Sequence, residues 1–446
     1  MYIADYIKSE LPKWPNWFNR ILLKFNVFGS LVYGKGYRKF AESISAISPE
    51  KKLLDMVNHA IKNVPYYREK YGTLEIKSLK EFEEKIGFID KDEVMAHWDK
   101  FIADGTDMSK CMTGTTGGTS GKPLKLLFPK NRYLVSVPFF NKMLHEFGWN
   151  FDMVAVLRNH KLDEGRVCMI NPMTKQVIFD AFRLSPEYVA KIYKVMRKYH
   201  IHYIHAYPST LFQFCKFCHS LNLDLSFVKL CILTSEQITN EQMNFFVQTL
   251  HLPLNYSYGH SEKLIFAGNT PSSSNYVVEP AYGYAELVAD DGSVIKKAHI
   301  QGQLTGTAFY NYNFPLIRYK TGDDASYSAD IDPQQPFKKE FEQIAGRRQK
   351  TLIYCGNGQK VSITSLNVHN DLFDKTYGIQ YVQEQKGELK VLIVKGEGYS
   401  ANVEQRICDY LQMRLGAETK ITIQYTDKLI HQPNGKFLLL ISSVKE

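Results

Sequence analysis

T-G-T-T-G-G-T-S-G-K-P, residues Thr113 to Pro123, packs four glycines, five hydroxyl side chains and one lysine into eleven residues. Glycine permits tight turns and close approach of backbone N–H groups to a ligand, while hydroxyls and an ammonium add donors, so the stretch suits a polyphosphate such as that of ATP. Leu124–Phe128 follows it and reads as a strand. The nucleoside-triphosphatase pattern G-x-x-x-x-G-K-[ST] does not fit, because Thr116 stands where its first glycine belongs and Pro123 where its magnesium-binding hydroxyl belongs. A ligand-free glycine turn is the bland reading, and the density of donors weighs against it.

With 446 residues the chain exceeds one hydrophobic core, so two or three domains are expected. Hydrophobic residues at 44% and charged residues at 23% describe an ordinary globular protein rather than a disordered one. The net charge of +9 is compatible with anionic substrates or an anionic membrane surface, and no basic block or zinc-finger spacing points to nucleic acid. Seven scattered cysteines and the absence of an apolar leader favour a reducing cytoplasm. Cys215 and Cys218 form a C-x-x-C, but F-Q-F-C-K-F-C-H looks like an amphipathic helix with core thiols rather than a metal or redox site. No run is apolar and long enough to span a bilayer. Trp14, Trp17, Phe18, Ile21, Leu22, Phe25 and Phe28 lie among lysines and arginines; packing of an N-terminal helix on the body is favoured over peripheral association with the inner face of a membrane.

Residues 35–64 read as two helical segments that stop at Pro65, and the first hundred residues are helical throughout. Helices are expected at Asn131–Phe147, Pro186–Lys198, Leu211–Leu221 and Thr239–Leu250, with strands at Met153–Leu157, Val167–Ile170, Tyr203–Ala206 and Lys229–Leu233. That alternation specifies an α/β fold with a mostly parallel sheet covered on both faces, and a ligand crevice beyond the C-terminal strand ends. After Leu254 glycines and β-formers indicate a smaller antiparallel or barrel-like region, with a loop at Ser328–Lys339. Residues 346–446 read as a small, mobile α+β domain joined to a large domain, 1–345, by a hinge near 346–350. Its expected elements are strands at Thr351–Cys355, Ile379–Gln385, Leu389–Val394 and Lys420–Tyr425, and helices at Ser362–Phe373 and Asn402–Leu415.

Four segments join the loop as carriers of chemistry. In Y-G-H-S-E (258–262), Glu262 follows a strand, where one carboxylate can hold magnesium against phosphate oxygens; taken alone, such a residue is more often a solvated surface glutamate. In Y-K-T-G-D (319–323), Asp323 follows a glycine turn at a strand end and suits two ribose hydroxyls, with Asp324 as the alternative. Ser235 and Glu236 close the strand L-C-I-L-T and face the same crevice. Lys436, in N-G-K, follows a tight turn and either serves a hairpin or reaches a phosphate, where its charge offsets charge developing in a transition state.

T-G-G-T-S-G-K-P, Y-G-H-S-E, Y-K-T-G-D, G-R-R-Q-K (346–350) and N-G-K, in this order, resemble the serial motifs of the adenylate-forming enzymes. N-V-P-Y-Y-R-E-K-Y (63–71), H-A-Y-P-S-T-L (205–211) and L-T-S-E (233–236) are similar to the phenylacetate-CoA ligase and CapK-like capsular polysaccharide branch. The resemblance implies that Thr116, Gly117, Gly118, Thr119, Ser120, Gly121 and Lys122 close over the β- and γ-phosphates, with Thr119 and Ser120 donating hydroxyl hydrogen bonds. It implies that Ser235, Glu236, Tyr258 and Gly259 line the adenine and acyl region, that Glu262 binds Mg2+, and that Asp323 and Arg347 hold the ribose. It further implies that Lys350 falls at the hinge and that Lys436 serves adenylation.

The activity implied is ATP-dependent activation of a small carboxylic acid as an acyl-adenylate, with transfer to an acceptor. A sugar acceptor in surface polysaccharide synthesis is the first reading, and CoA, as in acyl- and aryl-CoA ligases, is the alternative; a non-catalytic scaffold of a glycan assembly complex is the third. Lys320 replaces the usual arginine of the Y-R-T-G-D motif. Tyr203, Tyr207, Tyr256 and Tyr258 either suit an aryl or small acyl group or belong to the core.

Overall fold

A computed structural model of the protein describes residues 14–24, 34–115, 124–158, 160–345, 352–366, 373, 375–396, 398–427, 429–430 and 439–444. Five runs of aliphatic and β-branched residues pair in parallel: β1 (Val154–Leu157), β2 (Gln176–Ile178), β3 (Tyr203–Ala206), β4 (Leu230–Thr234) and β5 (Leu254–Gly259), in the order β2-β1-β3-β4-β5. The period-2 alternation of side chains divides the core. Val154, Val156, Ile178, Tyr203, Leu230 and Ile232 face helix α1 (Tyr133–Glu146), which buries Met143 and Leu144 against them. Ala155, Leu157, Ile204, Ala206, Cys231 and Leu233 face α2 (Pro186–Lys198) and α3 (Pro208–Ser220).

Helix α2 shows why its ends were legible. Ser185 accepts from the Tyr188 N–H (3.2 Å), Pro186 takes the first turn, and Val189, Ile192 and Met196 form the buried stripe. In α3, Cys215 and Cys218 lie in that same core beside Cys231. Burial pushes the Cys218 and Cys231 thiols up to about 12 and holds Cys215 well above its ordinary value, so all three are inert core thiols. The single helix expected at Thr239–Leu250 instead starts from a Thr239–Gln242 capping box, is α-helical over Asn240–Asn244 and widens into a π-helical turn over Phe245–Thr249.

The antiparallel strands after Leu254 are not set apart as a barrel. Phe266–Thr270 pairs with β5, and further strands, including β6 (Gln301–Ala308) and β7 (Tyr319–Tyr327), extend the hydrogen-bonded order to thirteen strands. The N-terminal helices pack on this antiparallel part: Leu53, Met56, Val57, Ala60 and Ile61 of Pro49–Asn63 share its core. Pro65 does more than stop that helix; it opens the next, Pro65–Tyr71, at the position where a missing N–H is harmless. Arg318 locks the two layers together through a fully buried pair with Glu286 (2.7 Å) and bonds to the Glu83 and Ile86 carbonyls.

The helix at Asn16–Lys24 packs on the body, as favoured: Asn16 donates to the Cys168 carbonyl (2.8 Å) and Asn19 to that of Ile170 (3.0 Å). Its other side exposes Trp14, Trp17 and Ile21. No described helix is long and apolar enough to cross a membrane. C-terminally, a four-stranded sheet (Lys420–Tyr425, Glu388–Lys395, Thr376–Gln383, Leu440–Ser442) is covered by α4 (Ala401–Leu415) through Ile407, Leu411 and Leu415. Of the helix expected at Ser362–Phe373, the described part is a 3-10 turn, Ile363–Leu366.

Candidate active site

The glycine loop joins an antiparallel hairpin, Cys111–Thr115 with Lys125–Pro129, whose register ends at Thr115 opposite Lys125. Thr116, Gly117, Gly118, Thr119, Ser120, Gly121, Lys122, Arg347, Lys350 and Lys436 lie outside the described residues. The site is therefore built from what the sheet presents. Arg158, Tyr207, Ser235 and His260 each immediately follow the C-terminal end of one of four neighbouring parallel strands, β1, β3, β4 and β5. This is the crevice where an α/β sheet binds its ligands.

Tyr258, Asp323 and Glu262 come together. The Tyr258 hydroxyl donates to Asp323 Oδ2 (2.8 Å), and burial, then the negative charge of Asp323, hold that phenol protonated. The Tyr258 ring lies 5.6 Å from that of His260, whose Nδ1–H donates to Glu262 Oε2 (3.0 Å). His260 Nε2 accepts the Ile265 N–H (3.2 Å), which fixes the neutral tautomer with its proton on Nδ1. Burial opposes ionisation of Glu262, but the His260 hydrogen bond and the field of Lys91 outweigh it and hold the carboxyl below its ordinary value.

Y-K-T-G-D is not a strand end. It is a bulge inside β7, where the pairing with β6 shifts between Thr305–Lys320 and Gln303–Asp324. Gly322 takes φ 78° there, and the Thr321 hydroxyl bonds to the Leu304 carbonyl (2.7 Å). The extra residues re-aim Asp323 toward Tyr258, while the exposed Asp324 falls on the opposite face. That separates two adjacent acids the sequence left as alternatives.

Ser235 has φ 71°, an uncommon conformation for a residue with a Cβ, at the point where β4 gives out. Its Oγ accepts from Arg158 Nη2 (3.3 Å). Glu236 Oε2 accepts the Ser209 N–H (3.0 Å) in the first turn of α3, so this carboxylate oxygen caps a helix. Gly259 is exposed at the end of β5. Of the four tyrosines, Tyr203 donates to the Gly148 carbonyl (3.3 Å), Tyr256 to that of Ser274, Tyr258 to Asp323, and Tyr207 stacks under Arg158.

Sequence reasoning passed over Arg158 and His205. Arg158 Nη1 donates to His205 Nε2 (3.0 Å), its guanidinium lies 5.0 Å above the Tyr207 ring, and its Nε is buried without a hydrogen-bond partner among the described residues. An arginine following the buried run V-A-V-L was the available signal. Lys263 and Arg132 were also missed; burial, then the charge of Arg132, lowers the Lys263 ammonium, so two cations share the space next to Glu262.

Glu262 fits a magnesium site of the kind completed by phosphates. It offers one ionised carboxylate with Oε1 unbonded by other described side chains, and among the described residues no three His, Cys, Asp or Glu cluster as a cage.

Residues 353–443 match the CapK C-terminal domain. Protein CapK of Staphylococcus aureus is 22% identical over 378 residues, 80% of this chain and 79% of that protein. The chain has the α/β fold of the adenylate-forming ligases and is similar in sequence to CapK. The fold likeness runs nearly end to end. 2-Hydroxyisobutyryl-CoA ligase in complex with 2-HIB-AMP and CoA, in its thioesterification state, aligns with a TM-score of 0.57 at 14% identity over 90% of both chains. An open conformation of that enzyme aligns at 0.53 and 13% identity over 88% of this chain and 90% of that one.

Proposed function

We propose that the protein is an adenylate-forming ligase that joins a carboxylic acid to the α-phosphorus of ATP, releases pyrophosphate, and passes the acyl group from AMP to the thiol of CoA. The observation that supports it best is the convergence at the strand ends of an ionised, buried Glu262 with the Tyr258–Asp323 pair. Asp323 would hold the ribose, with Arg347 beside it, and Glu262 would hold Mg2+, whose charge neutralises phosphate oxygens when bound. Thr116 to Lys122 would take the β- and γ-phosphates, and Lys436 would reach the reacting phosphate from the C-terminal domain by rotation about the hinge near Lys350. Ser235, Tyr258 and Gly259 would border the nucleotide and acid. The carboxylate attacks phosphorus because oxide is a poor leaving group from carbon and AMP a good one.

CoA is preferred as acceptor because the fold likeness covers nine-tenths of the chain and belongs to a ligase solved with CoA. A sugar acceptor, the first reading from sequence, draws support from the relation to CapK. AMP release separates them. With acid, ATP and magnesium present, added CoA should convert a single turnover into many; release that stays slow with CoA and accelerates with a nucleotide-linked sugar would transfer the second step to the glycan.

A further inference from the structure

The helix Asn16–Lys24 lies along the strand Met169–Asn171, the last of the thirteen hydrogen-bonded strands, which pairs with β2 on its other side. Its asparagines bond the Cys168 and Ile170 carbonyls, so one side of the helix seals a sheet edge that would otherwise present unpaired backbone groups. Sealing an edge asks for a polar outer side. The outer side is instead apolar: Trp14 is 46% exposed, Trp17 64% and Ile21 45%, whereas Trp149 in the core is 7% exposed. Spacings of three and four residues put these three side chains on one stripe. The Phe18 ring braces both tryptophans, with centroids 5.1 Å from Trp14 and 5.8 Å from Trp17.

Charge indicates what the stripe meets. From Leu11 to Ala41 the sequence holds six lysines and arginines and no aspartate or glutamate. Of these, Lys35, Arg38 and Lys39 are exposed on the helix Gly34–Ser43. A further cation stands beside the first helix, where Arg166 Nη2 lies 3.5 Å from Asn16 Oδ1. A second copy of the chain is a poor occupant, because a two-fold contact sets a patch against itself and would oppose cation to cation. Three exposed side chains also fall far short of the roughly 20–30 residues a side of a stable protein interface. Tryptophan, whose ring is apolar and whose N–H is polar, suits the boundary between lipid headgroups and acyl chains, and lysine and arginine suit anionic headgroups.

We propose that Trp14, Trp17 and Ile21 dock this protein reversibly on the surface of an anionic bilayer, with the helix lying in the headgroup plane between the lipid and the sheet edge. The proposal stands independently of the adenylation reading, since none of these residues borders the crevice.

Flotation of the full-length protein with phosphatidylcholine vesicles, with and without phosphatidylglycerol, tests it. Binding should be at least about tenfold tighter to the phosphatidylglycerol vesicles at low salt and should fall by a similar factor at high salt. Trp17→Ser combined with Ile21→Ser should weaken binding about tenfold or more while melting like the wild type. Brominated lipid should quench the wild-type tryptophan emission. Trp14→Phe combined with Trp17→Phe, which keeps the stripe apolar, should bind as the wild type does and lose that quenching. This second variant locates the contact even if the serine variant does not fold. Absence of binding to either vesicle, equal binding to both, or quenching that survives in the phenylalanine variant would overturn the proposal. So would a dimer in analytical ultracentrifugation that the serine changes dissociate, which would assign the stripe to a second copy.

Discussion

The hydroxyl of Tyr258 donates to Asp323 across 2.8 Å, tying the C-terminal end of β5 to the bulge in β7. The bond fixes the orientation of the carboxylate. Tyr258→Phe removes one neutral donor, so ATP binding should weaken by no more than about tenfold. Asp323→Ala should weaken it more. Titration with a fluorescent ATP analogue distinguishes the two, and equal effects would remove Asp323 from the nucleotide.

Glu262→Gln keeps shape and removes charge. Exchange of pyrophosphate into ATP should fall by about a hundredfold or more, with binding of the acid unchanged. Because His260 and Lys91 hold the Glu262 carboxyl low, it stays ionised below the ordinary glutamate range, and its contribution is lost only as pH falls through that lowered value. His260→Leu removes the donor, so the acid limb of the exchange profile should move to higher pH. An unmoved limb would show that His260 does not tune Glu262.

The Arg318–Glu286 pair predicts an asymmetry in stability. With side chains 2% and 0% exposed, Arg318 would be left as a buried, unpaired charge by Glu286→Ala. Chemical denaturation should show a loss of about 3–5 kcal/mol. The double change Glu286→Met, Arg318→Met should cost less than the sum of the single changes.

Lys339 lies buried over the Tyr284 ring and donates to the Ala285 carbonyl. Burial lowers its ammonium to about 8, only partly offset by Glu286. The unfolded chain, with the ordinary lysine value, binds more protons between the two values, so this group adds stability as pH rises from about 8 toward 10.4. Relative to Lys339→Met, the wild type should gain stability across that interval. A constant difference would contradict a depressed native value.

Much of the framework was legible because local signals agreed. Ser185, Pro186 and an apolar stripe spaced by three and four residues delimit α2, and V-A-V-L and L-C-I-L-T read as buried strands for the same reason they are buried: each alternate side chain meets a different helix layer. Glu262 and Asp323 stand out in the sequence because their motifs sit at fixed offsets from glycine. What the sequence hid depends on pairing across long separations. The bulge that turns Asp323 inward exists only because β7 is held against β6, and the capping role of Glu236 requires Ser209, 27 residues earlier. His205 is legible in the sequence only as the first residue of H-A-Y-P-S-T-L; its contact with Arg158, 47 residues away, appears only in the fold.

The most direct measurement is acid-dependent exchange of labelled pyrophosphate into ATP by purified protein with magnesium and a panel of aryl, short acyl, hydroxy, amino and sugar acids, with mass spectrometry of the bound product. The account predicts exchange with at least one acid, a mass equal to that acid joined to AMP with loss of water, and suppression of both by Lys436→Ala in a variant that still folds. Failure to bind ATP, together with the absence of any acyl-adenylate across the panel, would contradict it.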